Sequence, residues 1–356
     1  SASIQKAFDA NGIWYPHTAK GAPSFQGPWL EAHEHELPKM IVEARKINKA
    51  RTTFIEGAIL EYSHNGRIHA EAHPLKNDGG GTVTGRFSYS NPNLQQIPAR
   101  DPQIGKMIRS LFIPEEGATW GIFDYSQQEP RITVHYSSLL GLPGSADAVN
   151  AYSNEGADFH QIVADMAGIP RKQAKDINLG LTYGMGREKL IKELGLEQDE
   201  AARLLEVYHA RVPFVRAIQD RCTRTAQERG YITTLAGRKC HFDLWEPVGY
   251  LAEEKRTPLP EQEAKDQYGD NLKRSFTYKA LNKLIQGSAA DMTKLAMREL
   301  WREGMVPHIQ IHDELDFSIF NKEQSEMVID KMVNCVDMKV PLVVDYESGD
   351  NWGEAV

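Results

Sequence analysis

The chain has 356 residues, of which 41% are hydrophobic and 25% are charged. Such a length can bury a large core, and the composition is that of a globular protein rather than a disordered or membrane-spanning chain. The formal net charge of −8 argues against an indiscriminate nucleic-acid binder, although an acidic protein can still carry a basic cleft.

The first hundred residues combine short helices with loops rich in glycine and proline. The apolar spacing predicts helices over Ile4 to Ala10 and Leu37 to Ala50, joined by a glycine- and proline-rich connection from Asn11 to Pro28. Lys76 to Thr84 (KNDGGGTVT) is predicted to be a glycine-rich loop, and Asn91 to Arg100 (NPNLQQIPAR) an irregular polar segment. The first fifty residues have the character of a partial domain.

A compact helical region is predicted between Asp158 and Gly230. Pro170 stands immediately before a helix start at Arg171, and Gly195 and Gly230 are stop signals. The elements that follow are a hairpin around Gly237 (Tyr231 to Phe242), a charged loop or insertion (Trp245 to Asp270), a long helix (Asn271 to Glu303), a second hairpin (Val306 to Phe320), a helix (Glu323 to Met338) and a strand (Val340 to Tyr346).

Within the helical region, Arg171, Lys175, Leu179 and Tyr183 recur every four residues in RKQAKDINLGLTYG. On a helix, this spacing places them along one slowly drifting face. Two cations near the helix start, followed by an aliphatic and an aromatic side chain, can hold a polyphosphate at one end and a flat ring at the other. The stripe therefore predicts a nucleoside triphosphate site, with core packing as the alternative for Tyr183 alone.

Two separated elements end in acids. Trp120 to Tyr125 has the apolar clustering of a short buried strand that finishes near Asp124, and Pro130 suits the first turn of the following helix. The hairpin over Val306 to Phe320 carries Asp313 and Glu314 at its turn. If both strands lie in one sheet, the acids converge and can share two Mg²⁺ ions about 4 Å apart. The alternative for any isolated Asp in a turn is simple turn chemistry.

Five ordered motifs together resemble DNA polymerase family A, the DNA polymerase I type. They are TGRFSYSNPNLQQIPAR (Thr84 to Arg100), DYSQQEPR (Asp124 to Arg131), RKQAKDINLGLTYGMG (Arg171 to Gly186), LIQGSAADMTKLAM (Leu284 to Met297) and IHDEL (Ile311 to Leu315). Five motifs in order are far more specific than any one of them. The resemblance covers roughly Ile41 to Trp352.

The resemblance implies an α+β right-hand fold with an antiparallel-sheet palm, helical fingers and a partial thumb. The implied regions are a partial thumb (1–50), the first part of the palm (51–131, with the template-primer contact segment 84–100), the fingers (132–286) and the second part of the palm (287–356, with the catalytic hairpin 306–320).

The resemblance also implies a two-metal site. Asp124 and Asp313 would hold two Mg²⁺ ions, for which Mn²⁺ can substitute, and the backbone carbonyl of Tyr125 would complete one coordination sphere. Glu314 would be auxiliary. Together these residues would support DNA-templated addition of dNTPs to a primer 3′-hydroxyl with release of pyrophosphate.

The implied nucleotide contacts begin with the two cations of the stripe. Arg171 and Lys175 would bind the triphosphate, and Lys175 would also neutralise or protonate the departing pyrophosphate. His160, in DFH, matches a phosphate contact, with a surface histidine on a helix as the alternative. Gln127, in the second motif, is also predicted to bind the nucleotide.

The implied sugar and base contacts involve the other end of the stripe. Tyr183 would stack near the templating base, and Glu129 would hydrogen-bond it under the incoming sugar, leaving no room for a 2′-hydroxyl. Leu179 departs from the Phe or Tyr usual in the family, so we expect changed sugar discrimination and slower or more faithful synthesis. The other departures, at Gln128, Pro130 and Lys172, remove no catalytic group.

Six polar residues match family positions that touch the primer terminus or the minor groove of the nascent base pair. They are Arg86, Asn93, Gln95, Asn282, Gln286 and His312. Minor-groove acceptors lie in similar places for every correct pair, so such side chains can test pair shape without reading sequence. Taken singly, each is an ordinary surface or loop residue.

Three other classes of protein share parts of this pattern. A single-subunit RNA polymerase would share two acids and the Arg and Lys helix, but Glu129 and HDEL argue against it. A non-catalytic or weakly active DNA-binding relative would be expected to have lost an acid, and a two-metal nuclease or phosphatase has no use for the stripe. The segment GMGREK (Gly184 to Lys189) lacks the ending of a P-loop.

The expected partners are template-primer DNA and dNTPs. No 3′ to 5′ exonuclease domain fits before the thumb-like start, so we expect either an upstream domain in a longer protein or a separate exonuclease chain. The cysteines, Cys222, Cys240 and Cys335, are far apart and lack CxxC spacing, which argues against disulfides and zinc. We expect the cytoplasm or another reducing, DNA-containing compartment, not secretion or a membrane.

Overall fold

The computed structural model describes residues 2–77, 80–99, 101–155, 158, 160–161, 164–165, 168–183, 185–249 and 257–355, without the side chains at positions 154, 155, 173, 176, 179 and 182. The chain divides into two compact units, one formed by residues 1–71 and 90–112 and the other by residues 72–89 and 113–356. Among the described helices, none combines the length and the apolar character that a membrane crossing requires.

The first unit is mainly helical. Its elements are α1 (Ala2–Ala10), α2 (Gly27–Glu31), α3 (Glu36–Lys49), a π-helix (Ala50–Leu60), the hairpin strands β1 (Ser63–His64) and β2 (Arg67–Ile68), a 3₁₀ turn (Leu94–Gln96) and α4 (Ile104–Arg109). Helix α3 begins close to its predicted start because the His35 ring accepts a hydrogen bond from the Leu37 backbone N–H at 3.0 Å. Phe8, Phe25 and Leu30 form the core of this unit.

Two paired strands, β3 (Glu71–His73) and β4 (Ser88–Ser90), lie where the chain passes between the units. The second unit then begins with β5 (Thr119–Tyr125), α5 (Gln128–Leu139), α6 (Ser145–Asn150), a π-helix (Ala151–Glu155), α7 (Arg171–Thr182), α8 (Arg187–Leu194), α9 (Gln198–Arg211) and α10 (Pro213–Arg229). It continues with β6 (Tyr231–Thr233), β7 (Lys239–His241), β8 (Leu244–Pro247), β9 (Leu259–Pro260), α11 (Glu261–Tyr268), β10 (Leu272–Arg274) and a 3₁₀ turn (Thr277–Lys279). The last elements are α12 (Ala280–Arg302), β11 (Ile309–Ile311), β12 (Glu314–Ile319), α13 (Lys322–Val333) and β13 (Val344–Gly349).

A four-stranded antiparallel sheet in the order β11-β12-β5-β13 forms the base of the second unit. The two central strands are almost entirely buried, because Phe123 of β5 and Phe317 of β12 pack in one core with Ile285 and Met292 of α12. Each such side chain contributes about 2 kcal/mol by leaving water. The sheet is therefore a rigid platform, consistent with the predicted α+β class.

The helices α7 to α10 have a core of their own. Ala174, Ile177 and Leu181 lie on one face of α7 and pack with Tyr208 of α9 and Phe214 of α10. Helix α7 starts at Arg171 as predicted. The glycine stops are also confirmed: Gly195 (φ 66°) and Gly230 (φ 78°) end α8 and α10 in the left-handed conformation that glycine adopts without strain.

The prediction of a loop over Trp245 to Asp270 is wrong. The segment contributes strands β8 and β9 to a three-stranded sheet with β10, and then forms α11. Ala264 and Tyr268, four residues apart, are the buried positions of α11. This narrow apolar stripe is easily overlooked in a segment so rich in charge. Residues 250–256 of the prediction lie outside the described residues.

The helix predicted from Asn271 begins only at Ala280. The Gln227 side chain bonds both the backbone N–H and the carbonyl of Arg274, at 3.1 and 2.8 Å, and keeps that segment extended as β10. Phe276 then adopts a left-handed conformation (φ 60°), which a right-handed helix cannot include. Both causes involve tertiary structure rather than local propensity.

The predicted hairpin over Val306 to Phe320 is confirmed as β11 and β12. The last two elements differ in their limits: α13 ends at Val333, before the predicted Met338, and β13 begins at Val344. Val340, predicted to start that strand, is instead buried in the core of helices α7 to α10.

Candidate active site

Three carboxylates lie side by side across the main sheet. Asp124 on β5 is directly opposite Glu314 on β12 and Asp345 on β13. Directly opposed residues on neighbouring antiparallel strands project from the same face, with Cβ atoms about 5 Å apart. The strand pairing therefore gathers acids from distant parts of the chain at one position, which we call the acidic row.

Asp313 is held beside the acidic row by the hairpin turn. His312 adopts a left-handed conformation (φ 57°), and its carbonyl accepts a hydrogen bond from Gln310 Nε2 at 2.7 Å, which tightens the turn. The Asp313 carbonyl accepts the backbone N–H of Tyr125 at 3.4 Å, so the turn is fixed to the end of β5. The expected convergence of Asp124 and Asp313 is thereby found in the structure.

This concentration of negative charge changes the protonation of the acids. Burial, and next the charges of Asp313 and Glu314, raise the pKa of Asp124 to about 8, although Lys175 opposes the shift. Burial likewise raises the pKa of Asp313. Ionising both groups is therefore unfavourable without a neutralising cation, and the site favours a positively charged ligand.

Asp124, Asp313 and Asp345 open onto a cleft of about 410 Å³, which the first turns of helix α7 also border. Ten predicted site residues line it: Arg86, Asp124, Tyr125, Gln127, Glu129, His160, Arg171, Lys175, His312 and Asp313. Ser126, Gln128, Pro130 and Asp345 also line it.

The basic wall of the cleft is the start of α7. Arg171 and Lys175 are exposed one turn apart, as the four-residue spacing predicted. Arg171 Nε donates to Asp158 Oδ2 at 2.5 Å, and Asp158 also accepts the His160 backbone N–H at 2.9 Å. Burial opposes the ionisation of Asp158, but these hydrogen bonds outweigh it and lower its pKa. The side chain of Leu179 lies outside the described residues.

His160 is a buried residue that borders the cleft. Only 4% of it is exposed, so the alternative of a surface histidine is wrong. Its Nδ1 lies 3.2 Å from the side-chain amide nitrogen of Asn178 on α7, and the Tyr208 hydroxyl donates to the Asn178 amide oxygen at 3.0 Å. The histidine is thus tied to two helices.

Glu129, in the first turn of α5, binds two partners. The Tyr183 hydroxyl donates a short hydrogen bond to it, and Arg86 Nη2 donates to its other oxygen at 2.5 Å. Burial and the Glu129 charge raise the pKa of Tyr183, which therefore stays a phenol donor. The expected bond between Glu129 and Tyr183 is present, and Arg86 forms an ion pair with the same carboxylate.

The turn between β5 and α5 presents backbone to the cleft. The Tyr125 ring is buried, and its hydroxyl donates to the Met332 carbonyl at 2.7 Å, so the side chain is anchored in the core. Gln127 adopts a left-handed conformation (φ 53°) and accepts a hydrogen bond from the Tyr152 hydroxyl at 3.2 Å. The Tyr125 side chain is thus structural, and its expected contribution at the cleft is a backbone oxygen.

The predicted DNA contacts are distributed more widely. Arg86 and His312 border the cleft, whereas Asn282 and Gln286 are partly buried on α12 outside its lining. Asn93 and Gln95 belong to the first unit, where the Asn93 side chain accepts the Gln95 backbone N–H at 3.1 Å. The template-primer segment ends at Arg100, which lies outside the described residues.

Asp345 is the acid that the sequence reasoning missed. It was included in a predicted strand, and a carboxylate between Val344 and Tyr346 is a signal that could have been noticed. Its importance depends on the pairing of β13 with β5, which local pattern does not reveal. Asn178 and Tyr208 were missed for the same reason.

The donor set fits divalent metal ions. Asp124 and Asp313 offer hard carboxylate oxygens with mutually unfavourable charges, and Mg²⁺ typically binds one or two carboxylates together with water and substrate phosphates. Within the described ranges, no group of three His, Cys, Asp or Glu side chains converges as a complete metal cage.

Comparisons with known proteins point to one family. The family model described as DNA polymerase family A matches residues 9–354. The chain is 35% identical to a DNA-directed DNA polymerase of Pseudomonas phage M6, over 99% of this chain and 57% of the relative. It is 31% identical to the DNA polymerase DpoZ of Acinetobacter phage SH-Ab 15497, over 99% of this chain and 60% of the relative.

The fold is similar to a solved polymerase domain. The POL domain of Pol1 from M. smegmatis, in complex with DNA primer-template and dNTP, superposes with a TM-score of 0.74 at 28% identity. The match covers 100% of this chain and 61% of that one. The chain therefore spans somewhat more than half the length of the proteins that it matches here.

Proposed function

The chain belongs to DNA polymerase family A, and we propose that it is a DNA-templated DNA polymerase that adds dNTPs to a primer 3′-hydroxyl and releases pyrophosphate. The observation that carries this proposal is that the acids of the sheet and the cations of α7 border one cleft. A triphosphate with bound cations is complementary to both walls, since its anionic oxygens face Arg171 and Lys175 while the cations face Asp124 and Asp313.

Family A DNA polymerases use divalent metal ions, and we assign two Mg²⁺ ions, replaceable by Mn²⁺, to Asp124, Asp313 and the Tyr125 backbone carbonyl. When bound, these ions would supply Lewis acidity to the primer hydroxyl and to the phosphate oxygens. Glu314 lies beside Asp124 in the acidic row and is assigned an auxiliary electrostatic role. The raised pKa of Asp124 implies that this carboxyl gives up a proton as cations bind near neutral pH.

We assign the remaining chemistry to other side chains that line the cleft. Arg171 and His160 would hold phosphate oxygens, and Gln127 would contact the same end of the nucleotide. Lys175 would neutralise the charge that develops on pyrophosphate and donate a proton to it as the bond breaks. Because the stabilising groups are held in place before reaction, little reorganisation is needed in the transition state.

Selection of deoxyribose is assigned to Glu129 and Tyr183. Their hydrogen bond fixes the Glu129 carboxylate, which borders the cleft, and a 2′-hydroxyl at that position would have to displace it. A leucine side chain has no aromatic face or hydroxyl, so we propose that Leu179 gives a sugar discrimination different from that of relatives with an aromatic residue at this position.

Template-primer DNA is the proposed macromolecular partner. Arg86, Asn93, Gln95, Asn282, Gln286 and His312 are assigned to the primer terminus and the minor groove. The proposed regions are the partial thumb (1–50), palm (51–131 and 287–356) and fingers (132–286), and proofreading would come from an upstream domain or a separate chain. All three cysteines are free thiols, which suits a reducing compartment that contains DNA.

Primer extension tests the proposal. The protein should extend a labelled primer on a DNA template with dNTPs and Mg²⁺, and Asp124→Ala should abolish extension. Asp350→Ala is the matched control, because Asp350 is exposed and does not line the cleft. Failure of the intact protein to extend the primer while it still binds the duplex would instead support a non-catalytic DNA-binding relative.

A further inference from the structure

A buried chain of hydrogen bonds lies behind His160. The Tyr208 hydroxyl donates to Asn178 Oδ1 at 3.0 Å, and Asn178 Nδ2 lies 3.2 Å from His160 Nδ1. The exposed fractions are 1% for Tyr208, 3% for Asn178 and 4% for His160, so water is largely excluded from the chain. In such surroundings each polar atom needs a partner of the right polarity.

The direction of this chain determines where the histidine carries its proton. In the structure the amide oxygen of Asn178 accepts the Tyr208 hydroxyl, and the NH₂ group of the same amide faces the imidazole of His160. An NH₂ group can only donate, so Nδ1 of His160 must be the acceptor. In a neutral imidazole with an unprotonated Nδ1, the proton is on Nε2.

We propose that Asn178 and Tyr208 are positioning residues that hold His160 as its Nε2–H tautomer, with the ring fixed as a hydrogen-bond donor to a phosphate oxygen. The inference rests on the proposed function for the identity of the ligand. His160 borders the same cleft as Arg171 and Lys175. The opposite tautomer would turn a lone pair toward the phosphate and repel it.

The hydrogen-bond chain also links His160, the proposed donor, to helix α7. Asn178 is on the same helix as Arg171 and Lys175, so one element positions the two cations and sets the direction of the histidine. Phosphate binding would then depend on Asn178, although its side chain does not itself contact the substrate. If Asn178 had only a structural role, replacing it would lower the stability of the protein without changing the tautomer of His160. This outcome distinguishes a structural role from a positioning role.

Nitrogen NMR of protein labelled with ¹⁵N-histidine tests the tautomer directly, near neutral pH and without substrate. The His160 signals are identified by their loss in His160→Gln. We expect the proton on Nε2 in the wild type. In Asn178→Asp, which keeps the shape but offers only acceptors, the proton should move to Nδ1. A wild-type proton on Nδ1, or an unchanged spectrum in Asn178→Asp, would overturn the proposal.

Kinetics supply the functional readout. Asn178→Leu and Asn178→Asp should raise the KM for dNTP about tenfold, while kcat changes much less, because a directed hydrogen bond to a charged group is lost. Tyr208→Phe removes one oxygen only and should give a smaller rise in the same direction, which keeps the test valid if Asn178→Leu folds poorly.

The matched control is Tyr268→Phe, which removes another largely buried hydroxyl that donates to the Thr257 carbonyl at 3.1 Å and does not line the cleft. It should leave KM unchanged. Equal rises in KM for Tyr208→Phe and Tyr268→Phe would refute the positioning role. If the spectra agree but no variant or wild type extends primers, the proposed function fails while the tautomer assignment stands.

Discussion

Replacing Asp124 with asparagine should stabilise the metal-free protein. Burial and the neighbouring acids raise the pKa of this carboxyl from 3.8 to about 8 in the folded protein. A raised pKa means that ionisation is disfavoured in the folded state relative to the unfolded state. The resulting cost is absent below about pH 4, grows as the pH rises, and levels off above about pH 8. Asparagine has nearly the same shape and carries no charge.

The magnitude follows from the shift. One pKa unit corresponds to about 1.4 kcal/mol, so the cost of Asp124 should increase by up to about 4 kcal/mol between about pH 5 and about pH 8. Because Asp124 borders an open cleft, where the effective dielectric constant is higher than in a dry interior, we expect a measured difference of about 2–3 kcal/mol. The advantage of Asp124→Asn should therefore be much greater at the higher pH.

The assay is urea denaturation in EDTA at the two pH values, with Asp350→Asn as a control for loss of an exposed carboxylate. Adding Mg²⁺ should stabilise the wild type and Asp350→Asn, and should stabilise Asp124→Asn much less, because ligand binding to the folded state adds to stability. The reasoning is refuted if Asp124→Asn is no more stable than the wild type at about pH 8, or if its advantage is the same at both pH values.

Three further changes test separate parts of the site. Asp345→Asn should raise the Mg²⁺ concentration for half-maximal thermal stabilisation by about two- to fivefold, since a neighbouring charge is lost from the acidic row. An unchanged midpoint would show that the Asp345 charge does not contribute to Mg²⁺ binding. Glu129→Ala should increase ribonucleotide incorporation relative to deoxynucleotide by at least about tenfold, and competition assays showing a constant ratio would contradict the assigned selection. Leu179→Phe should alter the preference between dideoxynucleotides and deoxynucleotides, and kinetics indistinguishable from wild type would remove Leu179 from the explanation.

Local signals predicted some elements well because their causes are local. Pro170 before Arg171 and the glycines at positions 195 and 230 act on the backbone directly, so the start of α7 and the ends of α8 and α10 could be predicted from the sequence. The acidic hairpin was also predictable, because alternating apolar residues flank a polar turn. The late start of α12 was not, since the contacts of Gln227 with Arg274 join residues that are distant in sequence.

The candidate site shows the same division. Arg171 and Lys175 could be identified because residues four apart lie on the same face of a helix. Asp124 and Asp313 could be identified because each belongs to a recognisable motif. Asp345 belongs to the acidic row only through the pairing of β13 with β5. The support of His160 by Asn178 and Tyr208 depends on side-chain packing between helices. Strand order and packing are properties of the folded chain that periodicity does not encode.

The strand order also has a consequence for synthesis on the ribosome. The acidic row takes one member from β5 and the others from β12 and β13, near the end of the chain, whereas α7 emerges between them. A nascent chain that has passed residue 230 but not residue 313 contains α7 and its packing partners Tyr208 and Phe214, but only Asp124 of the two acids. If the proposed function is correct, competence for primer extension would arise late during translation, because the second acid of the proposed metal site is made near the end of the sequence.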